Sequence, residues 1–286
     1  MDQELIEKIV MKVIENLQNK NPILETCENS IDDEDIFDIT SEENKKEVLI
    51  KDPYDLEALK RMKSKTVARI GVGRAGCRLN TRTLLTLRAD HAVARDAVMM
   101  DVDKNFLKCL NLFAVQTLCT NRDQHLTRPD LGAQFSKETL DEIKAKCMRK
   151  PQVQIFVSDG LSSRAIEANI ENILPSLFDG LQRYNIDVGT PFFVKYGRVP
   201  AMDVISETIG SDVTCLFIGE RPGLATSKSM SAYIAYKATV GMSESRRTVV
   251  SNIHDGGINA VEEGAYIADL IKKILELKVC GVDLKL

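Results

Sequence analysis

The chain has 286 residues, 44% of them hydrophobic and 28% charged, and carries a formal net charge of −4. That is enough apolar material for a sizeable core and, by the usual size of one core, for two domains. It has no run of the about 18 apolar residues that a membrane span needs, and its N-terminal MDQELIEKIV mixes charges of both signs among its apolar positions; this argues against a membrane span or signal peptide and for a cytosolic protein.

Residues 1–18 carry Leu5, Ile9, Val10, Val13, Ile14 and Leu17 at helical spacing, with Glu4, Glu7, Lys8, Lys12 and Glu15 on the other side. The pattern predicts a short amphipathic helix, either docked on another protein or packed on its own core. Residues 19–55 are acidic and poor in periodic apolar positions, and they read as a disordered, flexible linker. From Leu56 to Lys150 the text is mainly helical, in DLEALKRMKSK, TRTLLTLRADHAVARDAVMMDV, KNFLKCLNLFAVQTL and SKETLDEIKAKCMRK, with TVARI as one short extended piece. These residues are expected to form a smaller helical domain.

After Pro151 the rhythm changes. A strand over Gln152 to Val157 precedes a long helix from Ser162 to Arg183, in which Pro175 is placed to bend one turn. FFVKYG, VTCLFIG, SAYIAYK and RTVVSNI read as further extended pieces, MDVISETIG as a helix, and VEEGAYIADLIKKILELK as the closing helix. Apolar strands alternating with helices predict a mostly parallel α/β sheet over residues 151–286, covered by helices on both faces.

Ligands of such sheets bind outside the carboxyl ends of the strands. Four polar, glycine-bearing loops are expected there: Ser158-Asp159-Gly160, Tyr196-Gly197-Arg198-Val199, Gly219-Glu220-Arg221-Pro222-Gly223, and the stretch from Ser251 to Gly257 that includes His254. None contains GxxxxGK[ST] or a dinucleotide fingerprint. One GxGxxG runs from Gly71 to Gly76, but the second strand that should follow it is replaced by LLTLRADHAVARDAV, which speaks against a nicotinamide site. The seven cysteines show no CxxC pair, and the three histidines no metal spacing, so neither a disulfide framework nor a metal site is expected. His91, beside Asp90 on a helix, reads as structural, and His254 is the better functional candidate. Residues 60–88 hold nine cations and no acid, but they also lack Phe, Tyr and Trp, so a charged face is expected rather than a nucleic-acid site.

Taken together, ARIGVGRAG, LRADHAVARDAV, TRPDLG, VQIFVSDGLSSRAIEAN, PFFVKYGRV, GERPGL, SNIHDGG and ADLIKKILELK resemble the ethanolamine ammonia-lyase small subunit (light chain) from about Leu56 to the C-terminus. The resemblance implies a helical domain followed by a Rossmann-like domain whose strand-end loops hold one side of adenosylcobalamin, the other side resting on a large-subunit barrel. It implies a lyase, active only with that large subunit, converting ethanolamine to acetaldehyde and ammonia by a radical route. Catalytic residues and bound ethanolamine would belong to the large subunit. By motif, Val199, Glu220 and Val249 carry over as cobalamin contacts, Val249 at a position where a relative has cysteine. Asp123-Gln124-His125 begins like DxHxxG but has Arg128 where glycine is needed, so the cofactor's own base is expected to stay on cobalt. The terminal helix is similar to tags that direct enzymes into bacterial microcompartments through shell or cargo proteins. No nucleic acid and no membrane enters this reading. A scaffold subunit without cofactor contact and a nicotinamide-dependent oxidoreductase remain as alternatives.

Overall fold

The computed structural model describes residue 39 and residues 41–285. The 1–18 helix and the greater part of the expected linker lie outside the described residues. In chain order come α1 (Glu42–Lys46), α2 (Leu56–Lys63), a hairpin of β1 (Arg74–Ala75) and β2 (Arg78–Leu79), α3 (Thr81–Met99), α4 (Lys104–Cys109) and β3 (Phe113–Gln116). Then follow α5 (Arg122–Thr127), α6 (Lys137–Lys146), β4 (Val153–Ser158), α7 (Ser163–Arg183), β5 (Phe192–Lys195), α8 (Ala201–Ile209), β6 (Val213–Gly219), β7 (Met230–Tyr236), β8 (Thr248–Ile253) and α9 (Ala260–Leu277).

Helix starts follow capping chemistry. Asp55, Asp103, Asn121, Ser136, Ser162 and Asn259 each accept a backbone N–H from the first turn of the helix that follows. At the far end of α8, Gly210 adopts φ 80°, the left-handed cap that a side chain disfavours.

The six-stranded sheet has the order β3-β5-β4-β6-β7-β8. Pairs β3–β5, β5–β4 and β4–β6 are parallel, whereas β6–β7 and β7–β8 are antiparallel. The mostly parallel α/β architecture expected from the sequence is therefore present, with an antiparallel extension. Side chains alternate across the central strands into two cores. Val153, Ile155 and Val157 of β4 meet Ile166, Ile170 and Ile173 of α7 and Ile267 and Ile271 of α9 on one face. Phe156 of β4, with Leu216 and Ile218 of β6, meets Met202 and Ile205 of α8 on the other, together with Ile143 of α6.

Two local expectations need correction. KNFLKCLNLFAVQTL is not one helix: α4 stops at Cys109, Asn111 turns the chain at φ 55°, and β3 joins the sheet beside β5. Asparagine tolerates that left-handed turn, and Phe113 gains a stacked partner in Phe192 at 5.2 Å between ring centroids. TVARI forms no strand. Within the expected linker, Ser41 caps α1, the Leu49 N–H donates to the Gly71 carbonyl at 2.8 Å, and Glu47 pairs with Arg82.

Candidate functional site

Strand register decides whether the four loops meet. Ser158 at the end of β4 pairs with Val194 of β5 and Ile218 of β6. Gly219 pairs with Met230 of β7, and Met230 pairs with Ile253 of β8. Because β7 runs against both of its neighbours, β8 leaves the sheet on the same edge as β4, β5 and β6. All four loops therefore stand along one rim, where open parallel sheets take ligands.

Neighbouring loops are bonded to one another in series. The Tyr196 N–H donates to Asp159 Oδ1 at 2.8 Å, the Leu161 N–H donates to the Gly219 carbonyl at 3.0 Å, and the Asn252 N–H donates to Glu220 Oε1 at 2.9 Å. Gly219 has to be glycine for this. A Cβ there would lie 2.1 Å from the Ser162 carbonyl oxygen and 2.6 Å from that of Asp159.

Glu220 is the junction of the outer half. Oε2 accepts from Ser229 Oγ at 2.7 Å, while Oε1 accepts from Ser231 Oγ and the Asn252 N–H. Burial works against its charge, but the Ser231, Asn252 and Ser229 donors, with His254 nearby, prevail and hold the carboxyl below the usual carboxylate range. Its partners are hydroxyls and a backbone amide rather than Arg198 or Arg221. A carboxylate offers about four acceptor positions, so these three donors orient it and leave capacity for one more.

Val199 and Val249 lie on the same side of the sheet as this carboxylate. Val199 is half-buried against the α8 core, and its carbonyl accepts the Met202 N–H at 3.1 Å. Val249 pairs with Tyr233, which packs toward that same core, and it is 45% exposed. It lies within β8 rather than in the exit loop. An open apolar side chain is thus available there.

Beneath the β4 and β5 loops is a buried polar network in which the sequence reading gave Arg122 no part. Arg122 Nη2 lies 3.1 Å from Asp159 Oδ2 and donates to the Met100 carbonyl at 2.8 Å, and Nη1 donates to the Gly160 carbonyl at 3.3 Å. Its guanidinium sits 4.8 Å from the centre of the Tyr196 ring. His125 is fully buried and stacks on the same tyrosine at 5.7 Å between ring centroids, with Nδ1 3.5 Å from Arg122 Nη1 and Nε2 donating to the Gly197 carbonyl at 3.2 Å. Burial, helped by Arg198, lowers its pKa to about 4, and this fixes it as a neutral packing residue. Burial also pushes Asp159 up to about 6, against the pull of Arg122. Only a lone arginine in TNRDQH marked this network in the sequence, and no spacing pattern would have found it.

His254 closes its own loop: Nε2 donates to Asn252 Oδ1 at 2.9 Å and Nδ1 accepts the Gly256 N–H at 3.0 Å. His91 is exposed on α3. The Gly71–Gly76 motif runs through the first strand of the β1–β2 hairpin, Arg74–Ala75, rather than joining a strand to a helix, and a Cβ on Gly73 would meet Asn80 Nδ2 at 1.9 Å. Gly73 therefore serves close packing, while Gly71 and Gly76 take the left-handed backbone at φ 67° and 61°. Among the described residues no group of three His, Cys, Asp or Glu is placed to hold a metal, the six cysteines are free, and no helix is long and apolar enough to cross a membrane.

The model of the family "Ethanolamine ammonia-lyase light chain (EutC)" matches residues 56–285. A protein named ethanolamine ammonia-lyase small subunit from Clostridium tetani is 54% identical over 285 residues, covering 99% of this chain and 96% of the relative. Proteins of the same name from Clostridium perfringens and Clostridioides difficile are 53% and 50% identical, covering 100% and 98% of this chain and 93% and 97% of the relatives. With the family model spanning the sheet and all four rim loops, and the relatives matching nearly end to end, the chain belongs to the ethanolamine ammonia-lyase small-subunit family.

Proposed function

We propose that this small subunit grips one side of adenosylcobalamin with the rim of its sheet, while a large subunit holds the other side and handles ethanolamine. The observation that supports the reading best is the serial bonding of four strand-end loops along one edge. The donor set suits the ligand. A corrin rim is studded with neutral amides, for which the spare acceptor capacity of Glu220 and the apolar surfaces of Val199 and Val249 are appropriate partners. When bound, adenosylcobalamin supplies a carbon radical by cobalt–carbon homolysis, the chemistry that turning ethanolamine into acetaldehyde and ammonia requires. The contribution of this chain is binding and orientation. His125, buried and engaged at Gly197, is not available to displace the cofactor's own base from cobalt.

The test is to purify the chain with its large subunit and measure cobalamin-dependent aldehyde release and cobalamin affinity. Glu220→Ala is expected to weaken cobalamin binding by roughly 1–3 kcal/mol, the scale of a lost charge-assisted hydrogen bond. An unchanged affinity would remove Glu220 from the site. The same proposal assigns the amphipathic N-terminal stretch a part in bacterial microcompartment targeting. Deleting residues 1–19 should abolish localisation of a fluorescently labelled enzyme to the compartment and leave assembled activity intact; unchanged localisation would reject that role.

A further inference from the structure

Away from the rim core, residues 44–90 and the stretch after Gly223 enclose a cleft of about 380 Å³. Five cations line it, Lys45, Lys46, Lys63, Lys65 and Arg69, against one acid, Asp90. Asp90 is buried and pairs with Lys45 at 3.0 Å and with Arg69, so its charge is already compensated. The surplus of the lining is positive.

Two buried groups in this wall are incompletely satisfied. The Lys63 side chain is only 6% exposed, and its Nζ donates to the Ile70 carbonyl at 2.8 Å. An ammonium has three N–H groups, and burial pushes this one below the usual lysine range. Thr83 is 3% exposed, and its Oγ1 has no hydrogen-bond partner at all. An orphaned buried hydroxyl costs about 1–3 kcal/mol and calls for an explanation. A phosphate presents enough oxygen acceptors for these donors and, unlike a single carboxylate, more than one negative charge to set against the positive surplus of the lining.

We propose that this cleft binds a phosphate-bearing anion. Its oxygens accept from Thr83 Oγ1 and the spare Lys63 N–H groups, and Lys65 adds charge at the mouth. The cleft is separate from the rim, yet Leu224 and Ala225 line it four and five residues beyond Glu220, so the two regions share a loop. The phosphate could therefore come from a free phosphate compound or from the phosphodiester in the nucleotide arm of a corrinoid seated on the rim.

The experiment uses the chain assembled with its large subunit and titrates inorganic phosphate by calorimetry. Thr83→Val keeps the side-chain shape and removes the orphaned hydroxyl, so the fold is expected to survive. Lys65→Gln removes an exposed charge. Each variant is expected to bind phosphate about tenfold more weakly, the scale of one lost hydrogen bond to a charged group. A parallel titration separates the sources. Loss of affinity for adenosylcobalamin but not for cobinamide, which lacks the phosphodiester, identifies the corrinoid arm; unchanged corrinoid affinity with weakened phosphate binding identifies a free compound. Absence of phosphate binding, or equal binding by the original protein and both variants, overturns the proposal. The phosphate arm needs no corrinoid, so its failure is distinct from failure of the rim reading.

Discussion

Tyr196 adopts φ 60°, a left-handed backbone that an aromatic residue seldom takes without support from its surroundings. Here Asp159 receives its N–H, Thr117 Oγ1 donates to its carbonyl at 3.0 Å, and Arg122 and His125 pack against its ring. The two titratable members of this cluster respond to pH in opposite senses. Asp159, raised from 3.8 to about 6, holds its proton more tightly in the folded chain, so its contribution to stability is lost as pH rises through that window. His125, lowered from 6.5 to about 4, holds its proton less tightly, so its contribution is present above 6.5 and lost as pH falls toward 4. The pair therefore largely offsets itself between about pH 4 and 6. Asp159→Asn should uncover the histidine, giving stability in urea unfolding that climbs steadily from about pH 4 to 6.5. A flat profile for that variant would show that His125 is not neutral when folded. At this scale Val199, Glu220 and Val249 are assigned to cobalamin by motif resemblance alone. The serines that orient Glu220 carry no chemistry of their own in a one-dimensional reading.

The helices differ sharply in how much of themselves they bury. Over its 19 residues α3 buries only Thr83, Asp90, Ala94 and Ala97, while α7 buries nine of 21, six of them Ile or Leu. Apolar burial is the main source of helix stability in a protein, so α3 belongs to the weakly held part of the fold. Hydrogen exchange on the isolated chain should therefore release the α3 amides well before those of α7. Equal protection would mean that α3 opens only with the whole molecule. Long, strongly patterned elements were readable to within a residue or two: β6 over VTCLFIG, and α7 from its Ser162 cap onward, continuous through Pro175. β3 was not readable, because the apolar spacing of NLFAVQ suits a helix as well as a strand, and its choice depends on β5, about 80 residues later in the sequence.

For the described residues as a whole, alternation of apolar strands and helices revealed the parallel centre, since crossover helices force that arrangement. It could not reveal the antiparallel extension. No α-helix lies between β6 and β7 or between β7 and β8, so β7 reverses and β8 reverses again, returning the chain to the edge where the other loops leave. That double reversal brings Asn252 to Glu220 across 32 positions of sequence. The order of strands also leaves β8 as a border of the sheet, with half of its residues exposed and two valines and an isoleucine among its six. A border of this kind presents unpaired backbone groups in a row, the template on which extended segments of other molecules stack. Made alone at high concentration, the subunit would carry that adhesive margin into solution, and its yield would depend on how soon the margin is shielded.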